Sequence, residues 1–110
     1  MTPFTVDHAC GAPPFALRIA YGARTIVYSG DTAWTDTLVE AVKGANLFVC
    51  ESYFFDKKVR YHLDYTTLKA HRHRLECARI ILTHMSGDML RRCYDAEFEC
   101  ADDSMVVVVE

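Results

Sequence analysis

The run Thr25-Ile26-Val27-Tyr28 stops abruptly at Ser29-Gly30-Asp31-Thr32, and Arg79-Ile80-Ile81-Leu82 stops in the same way at Thr83-His84-Met85-Ser86. Short, continuous apolar runs bounded by turn residues are the mark of strands covered on both faces, as in a sheet with parallel pairing. The loops into which such strands open are where sites are usually built, because a rigid scaffold positions them. An aspartate at one strand end and a histidine at another, with a third candidate in Val6-Asp7-His8, point to one metal site gathered from distant parts of the chain.

The order of elements follows from the same periodicities. Phe4 to His8 reads as a short strand, and Gly11-Ala12-Pro13-Pro14 as a loop. Phe15 to Tyr21 alternates as a half-buried strand does, and Gly22-Ala23 joins it tightly to residues 25–28, predicting an antiparallel hairpin. A helix follows, with Thr35 or Asp36 as cap, Leu38, Val39 and Val42 on its apolar face, and Gly44 at its end. Asn46 to Cys50 is a buried strand ending on Glu51, and an aromatic-rich connection runs from Ser52 to Asp64. A second helix is predicted from about Thr66 to Glu76, entered through Asp64 or Thr66, then a strand over Arg79–Leu82 and a final one over Met105–Val109. The expected fold class is therefore α/β or α+β, one mixed sheet with helices on one face.

A chain of 110 residues is one domain or part of one, and its 51% hydrophobic content is enough for a packed core. Twelve Lys and Arg against 15 Asp and Glu give no electrostatic case for nucleic acid or an anionic membrane. The basic stretch His71-Arg72-His73-Arg74 reads as a solvated helix face. No segment approaches the roughly 18 apolar residues of a membrane span, and the first residues lack the basic start and apolar region of a secretory signal. Five cysteines without a Cys-x-x-Cys pair argue for reduced thiols and a cytoplasmic setting rather than a disulfide framework.

Each candidate residue has a plainer alternative. Asp31 follows Gly30, which lets the backbone turn so that a carboxylate can approach a cation, yet aspartate is also common as a turn cap. His84 and His8 stand at strand ends, where a histidine is either a ligand or a satisfied structural residue. Glu51 and His62 flank the aromatic connection; a carboxylate can hold an imidazole in the tautomer needed for proton delivery, or Glu51 can simply end a strand. His71 and His73, two apart in a helix, point to opposite sides and do not form a ligand pair.

Taken together, Phe15-Ala-Leu-Arg-Ile, Thr25-Ile-Val-Tyr-Ser-Gly-Asp-Thr32, Glu51, His62, Leu82-Thr-His-Met-Ser86 and the closing Asp103-Ser104-Met105-Val-Val-Val-Val109 resemble the C-terminal half of the metallo-β-lactamase-fold hydrolases, in particular the ribonuclease Z-like phosphodiesterase branch. The resemblance implies His8, Asp31 and His84 as metal ligands, with Asp31 bridging two zinc ions, and Glu51 with His62 as the pair that protonates the leaving group. Here the histidine stands in His62-Leu63-Asp64-Tyr65 where that branch has His-Ser-Thr. The signature His-x-His-x-Asp-His of the N-terminal half has no counterpart in this sequence. Residues 1–110 are thus expected to form half of a four-layer αββα sandwich, completed by the N-terminal half of the same protein or by a second copy. The implied activity is metal-dependent hydrolysis of a phosphodiester or other ester, on a small-molecule or nucleotide substrate. The alternative is a non-catalytic module that pairs through its open sheet face.

Overall fold

The computed structural model describes residues 2–5, 15–57, 62–101 and 107–109. One six-stranded sheet runs in simple order from β1 (Thr2–Thr5) through β2 (Phe15–Tyr21), β3 (Arg24–Tyr28), β4 (Leu47–Glu51) and β5 (Ile80–Thr83) to β6 (Glu99–Cys100). The first two pairings are antiparallel and the last three parallel. Gly22, at φ +57°, makes the β2–β3 hairpin tight. The parallel pairs require crossovers, which α1 (Thr37–Val42), α2 (Tyr65–Ala70) and α3 (Gly87–Arg91) supply.

Register sorts the side chains into two faces. Val27, Phe48 and Ile80 lie abreast, with Cys50 beside Leu82, and all five are buried against Leu38, Ala41, Val42, Leu68, Leu75 and Met89 from the helical side. Burying each large aliphatic or aromatic side chain contributes about 1.5–3 kcal/mol. The other face carries Leu17, Tyr28 and Val49 in one row, with Ile19 and Ile26 in the next. These remain half-buried or exposed, Ile19 at 40% and Tyr28 at 38%. All three helices pack on the first face; on the second, Leu47 and Ile81 are buried, while the part over β2 and β3 stays half-buried or exposed among the described residues.

Two polar side chains tie the end of α1 and the segment after it to the sheet. Arg18 on β2 donates to the carbonyls of Ala41 and Lys43, both at 2.8 Å, a cation where the helix presents unsatisfied acceptors. Asn46 copies a strand residue: its N–H donates to Thr25 O at 2.9 Å and its Oδ1 accepts from Thr25 N–H at 2.8 Å.

Several boundaries differ from expectation. The part of the first predicted strand that carries Val6 to His8 lies outside the described residues. Asp36 is the N-cap residue of α1 but makes no side-chain capping bond. The second helix stops at Ala70, because Arg72 turns back to donate to Leu75 O at 2.6 Å and Cys77 O at 3.2 Å, leaving a 3-10 turn over Arg72–Arg74. A short helix (α3) and β6 were not anticipated; in five and two residues there is too little periodicity to read. The predicted final strand is not formed over residues 107–109. β6 occupies the place beside β5, and the terminal segment is held by arginine side chains instead, Arg79 to Val108 O and Arg24 to Val109 O, each at 3.3 Å.

Candidate metal centre

Five buried polar or charged residues, Ser29, Thr32, Glu51, Ser52 and Asp64, gather at the carboxyl ends of β3 and β4 or in the connection that follows. Burying such groups is costly unless each is paired, and no described buried side-chain nitrogen or oxygen lacks a partner. Ser29 anchors the loop after β3: its N–H donates to Val49 O at 3.0 Å, and its Oγ accepts from Glu51 N–H at 3.0 Å while donating to Gly30 O at 2.7 Å. Gly30 sits at φ +63°, where a side chain is disfavoured. Thr32 N–H then donates to Glu51 Oε2 at 2.6 Å. The aspartate between Gly30 and Thr32 is thereby held on a loop stitched to the neighbouring strand. Helix α1 begins six residues further on at Thr37, so Asp31 does not cap it.

Glu51 ends β4 opposite Thr83, and His84 follows Thr83 directly. His84 has φ +50°, the left-handed region that costs a non-glycine residue on the order of 1 kcal/mol. Such strain turns the chain out of the strand within one residue. Ser52 N–H bonds Thr83 O, Tyr53 N–H bonds Leu63 O, and Ser86 N–H bonds Tyr53 O, at 2.8–3.0 Å. These bonds draw the segments carrying His62 and His84 toward the end of β4. Asp64 supports the first of them by capping α2: it accepts from Thr67 N–H at 3.0 Å, Thr66 Oγ1 at 2.5 Å and Thr67 Oγ1 at 2.7 Å.

The outcome is a cluster in which Asp31, Glu51, His62 and His84 each offer one ligand atom, all within 4.8 Å of one another. Asp31 Oδ1 lies 3.7 Å from His84 Nε2, and Glu51 Oε1 2.6 Å from His62 Nδ1. Two carboxylates and two imidazoles are a mixed oxygen and nitrogen donor set of the kind that holds a divalent transition metal. Burial pushes the Glu51 carboxyl up to about 8; the Thr32 N–H opposes this, Asp31 adds to it and His84 subtracts. Tyr28 is raised by burial and by the nearby Asp31 and Glu51. Glu51 Oε1 and His62 Nδ1 are in hydrogen-bond contact, which turns the opposite nitrogen, Nε2, away from the carboxylate.

The structure thus brings together four of the five residues singled out in the sequence. The fifth, His8, lies outside the described residues. His71 and His73 stand apart: His71 stacks on Trp34 with ring centroids 3.9 Å apart and its Nδ1 is 2.9 Å from Thr67 O, while His73 is exposed. Two features escaped the sequence reading. Glu51 was expected only beside His62, yet its carboxylate also lies in the ligand cluster; the signal was its place at the end of an apolar strand, the same as that of Asp31. Tyr53 belongs to the aromatic-rich connection, and its ring stands against both imidazoles.

The family model of the beta-lactamase superfamily domain matches residues 1–85. The metallo-β-lactamase fold protein YhfI from Bacillus subtilis superposes with a TM-score of 0.78 at 21% identity, over 97% of this chain and 48% of that one. Human tRNase Z, short form (ELAC1), superposes with a TM-score of 0.76 at 23% identity, over 98% of this chain and 41% of that one. The chain spans less than half the length of either structure, and its mixed sheet with helices has the fold of half a metallo-β-lactamase domain. No curated protein sequence matches it.

Proposed function

The chain belongs to the beta-lactamase superfamily domain family, and on that premise we propose that it is the C-terminal half of a metal-dependent hydrolase. The observation that carries this reading is the convergence of Asp31, Glu51, His62 and His84 from four separate segments to within 4.8 Å. Asp31 and His84, with His8, are the proposed ligands, and zinc the proposed metal, because imidazole and carboxylate donors suit it. The complete site is proposed to hold two ions, with Asp31 between them. When bound, such a metal lowers the pKa of a coordinated water to near neutral and polarises the oxygen of the scissile bond. Glu51, fixed by the Thr32 N–H, orients His62 through Nδ1, so that when the pair carries a second proton, on Nε2, that nitrogen can deliver it to the leaving oxygen. The proposed reaction is hydrolysis of a phosphodiester or related ester, in the cytoplasm. Among the described residues no helix is long and apolar enough to cross a membrane.

The open sheet face supports a companion proposal, that the N-terminal half of the same protein or a second copy covers Leu17, Ile19, Ile26, Tyr28 and Val49. Contiguous exposed apolar surface of this kind marks an interaction site. It also favours a second reading, a non-catalytic module whose role is assembly through that face. Metal analysis separates the two. Chain coexpressed with a segment bearing His-x-His-x-Asp-His, loaded with zinc and desalted, is expected to retain metal that Asp31→Ala loses and to hydrolyse an activated phosphodiester. A chain that holds no metal and stays inert with that segment present overturns the hydrolase reading in favour of assembly.

A further inference from the structure

His62 and His84 are fixed by unequal means. His62 is anchored through Nδ1 to the buried Glu51 at 2.6 Å. The polar contact of His84 is Asp31 at 3.7 Å, beyond hydrogen-bond range, and its side chain is 44% exposed. Among the described residues, ring packing therefore orients His84, and Tyr53 stands against both it and His62. The Tyr53 ring centroid is 5.3 Å from that of His62 and 5.5 Å from that of His84, with tilts of 33° and 30°. The two imidazoles are 5.8 Å apart and inclined by 21°. Three rings at nearly equal spacings form a triangle, and Phe54 braces Tyr53 edge-on at 4.9 Å and 80°. The Tyr53 backbone holds the same two segments, through Leu63 O beside His62 and Ser86 N–H two residues beyond His84.

We infer that Tyr53 is a positioning residue whose ring sets the separation of the His62 and His84 imidazoles, relaying the fixed position of His62 to His84. The geometric claim stands on the rings alone; its consequence for metal binding rests on the reading given under Proposed function. Residues that orient ligands without touching the metal typically change affinity about 10- to 100-fold when removed. Aromatic rings in such offset contact prefer defined geometry over loose packing, so a ring without the hydroxyl is expected to suffice and an aliphatic side chain is not.

The test has two arms, applied to wild type, Tyr53→Phe, Tyr53→Leu and Tyr53→Met. In chelator-treated protein, nuclear Overhauser contacts are read between ring 53 and both imidazoles, and between the imidazoles themselves. Wild type and Tyr53→Phe should show all of them, and the aliphatic variants should lose the contact between imidazoles while keeping a melting temperature near wild type. Absence of the Tyr53 contacts in wild type, or survival of the contact between imidazoles in a folded aliphatic variant, overturns the proposal whether or not metal binds. In the second arm, cobalt(II) is titrated into chain coexpressed with a segment bearing His-x-His-x-Asp-His and its visible absorption recorded. Aliphatic variants should bind at least about tenfold more weakly with a displaced band, and Tyr53→Phe as wild type does. If wild type binds no cobalt while the ring contacts are present, the metal reading fails and the positioning proposal stands. Loss in Tyr53→Phe equal to that in Tyr53→Leu would assign the effect to the hydroxyl and overturn it.

Discussion

Replacing Asp64 by alanine should destabilise the chain far more than its position in a connecting segment suggests. The carboxylate is only 4% exposed and accepts three hydrogen bonds, from Thr67 N–H and from the hydroxyls of Thr66 and Thr67. Loss of the cap to the helix N–H costs about 1 kcal/mol, and each hydroxyl bond about 0.5–1.5 kcal/mol. The removed carboxylate no longer has to be desolvated, which returns part of this. A net loss of about 2 kcal/mol remains, a sizeable share of the roughly 5–15 kcal/mol that holds a domain together. For a domain of this size about 4 °C is lost per kcal/mol, so the midpoint should fall by about 8 °C. Thermal unfolding followed by circular dichroism reads this directly. Asp64→Ser, which can still accept from Thr67 N–H, should recover about half. A fall below about 3 °C for Asp64→Ala, or no recovery in Asp64→Ser, would refute the claim that capping carries the effect.

Three further outcomes are expected. In chelator, the Glu51 carboxyl is pushed from 4.5 up to about 8 in the folded chain; the folded state then binds the proton that the unfolded state releases, so stability is highest below about pH 4.5 and is lost as pH rises toward 8. The direction follows from the linkage between proton binding and folding. Glu51→Gln should flatten the dependence of the denaturant midpoint on pH, and a slope equal to wild type would contradict the burial argument. His84→Gly should be more stable than His84→Ala by about 1 kcal/mol, since only glycine relieves φ +50°; equal urea midpoints would mean that the conformation is not strained. Cys50 is buried, with its thiol pushed far up by desolvation, whereas Cys93 is half-buried beside Met85. Mass-mapped alkylation of the native chain should label Cys93 before Cys50, and the reverse order would place Cys50 at the surface.

The strands that position the centre were legible because each carries a signal no neighbour blurs. Thr25–Tyr28 and Arg79–Leu82 are too short for helices and too apolar for loops, and both fall within a residue of β3 and β5. The second helix, expected to run to Glu76, ends six residues earlier at Ala70, because basic residues suit a helix surface as well as a turn; only the arginine's reach to Leu75 O and Cys77 O decides between them. The last strand was misplaced because four consecutive valines have the strongest β propensity in the chain, while Glu99–Cys100 has little. Pairing depends on which segment reaches the edge of β5 first, a matter of tertiary geometry. Within the centre, residue types and strand ends were readable, but the contact of Tyr53 with both imidazoles depends on tertiary pairing, Tyr53 N–H to Leu63 O and Ser86 N–H to Tyr53 O, which no local pattern encodes.

The left-handed backbone of His84 also bears on how such a chain changes over time. Glycine or asparagine would occupy that conformation at lower cost, so drift without selection for chemistry should replace the imidazole there sooner than at His62, whose φ is not positive and which feels no comparable pull. Among descendants of this sequence, position 84 would then be the first of the cluster to record that the centre has fallen out of use.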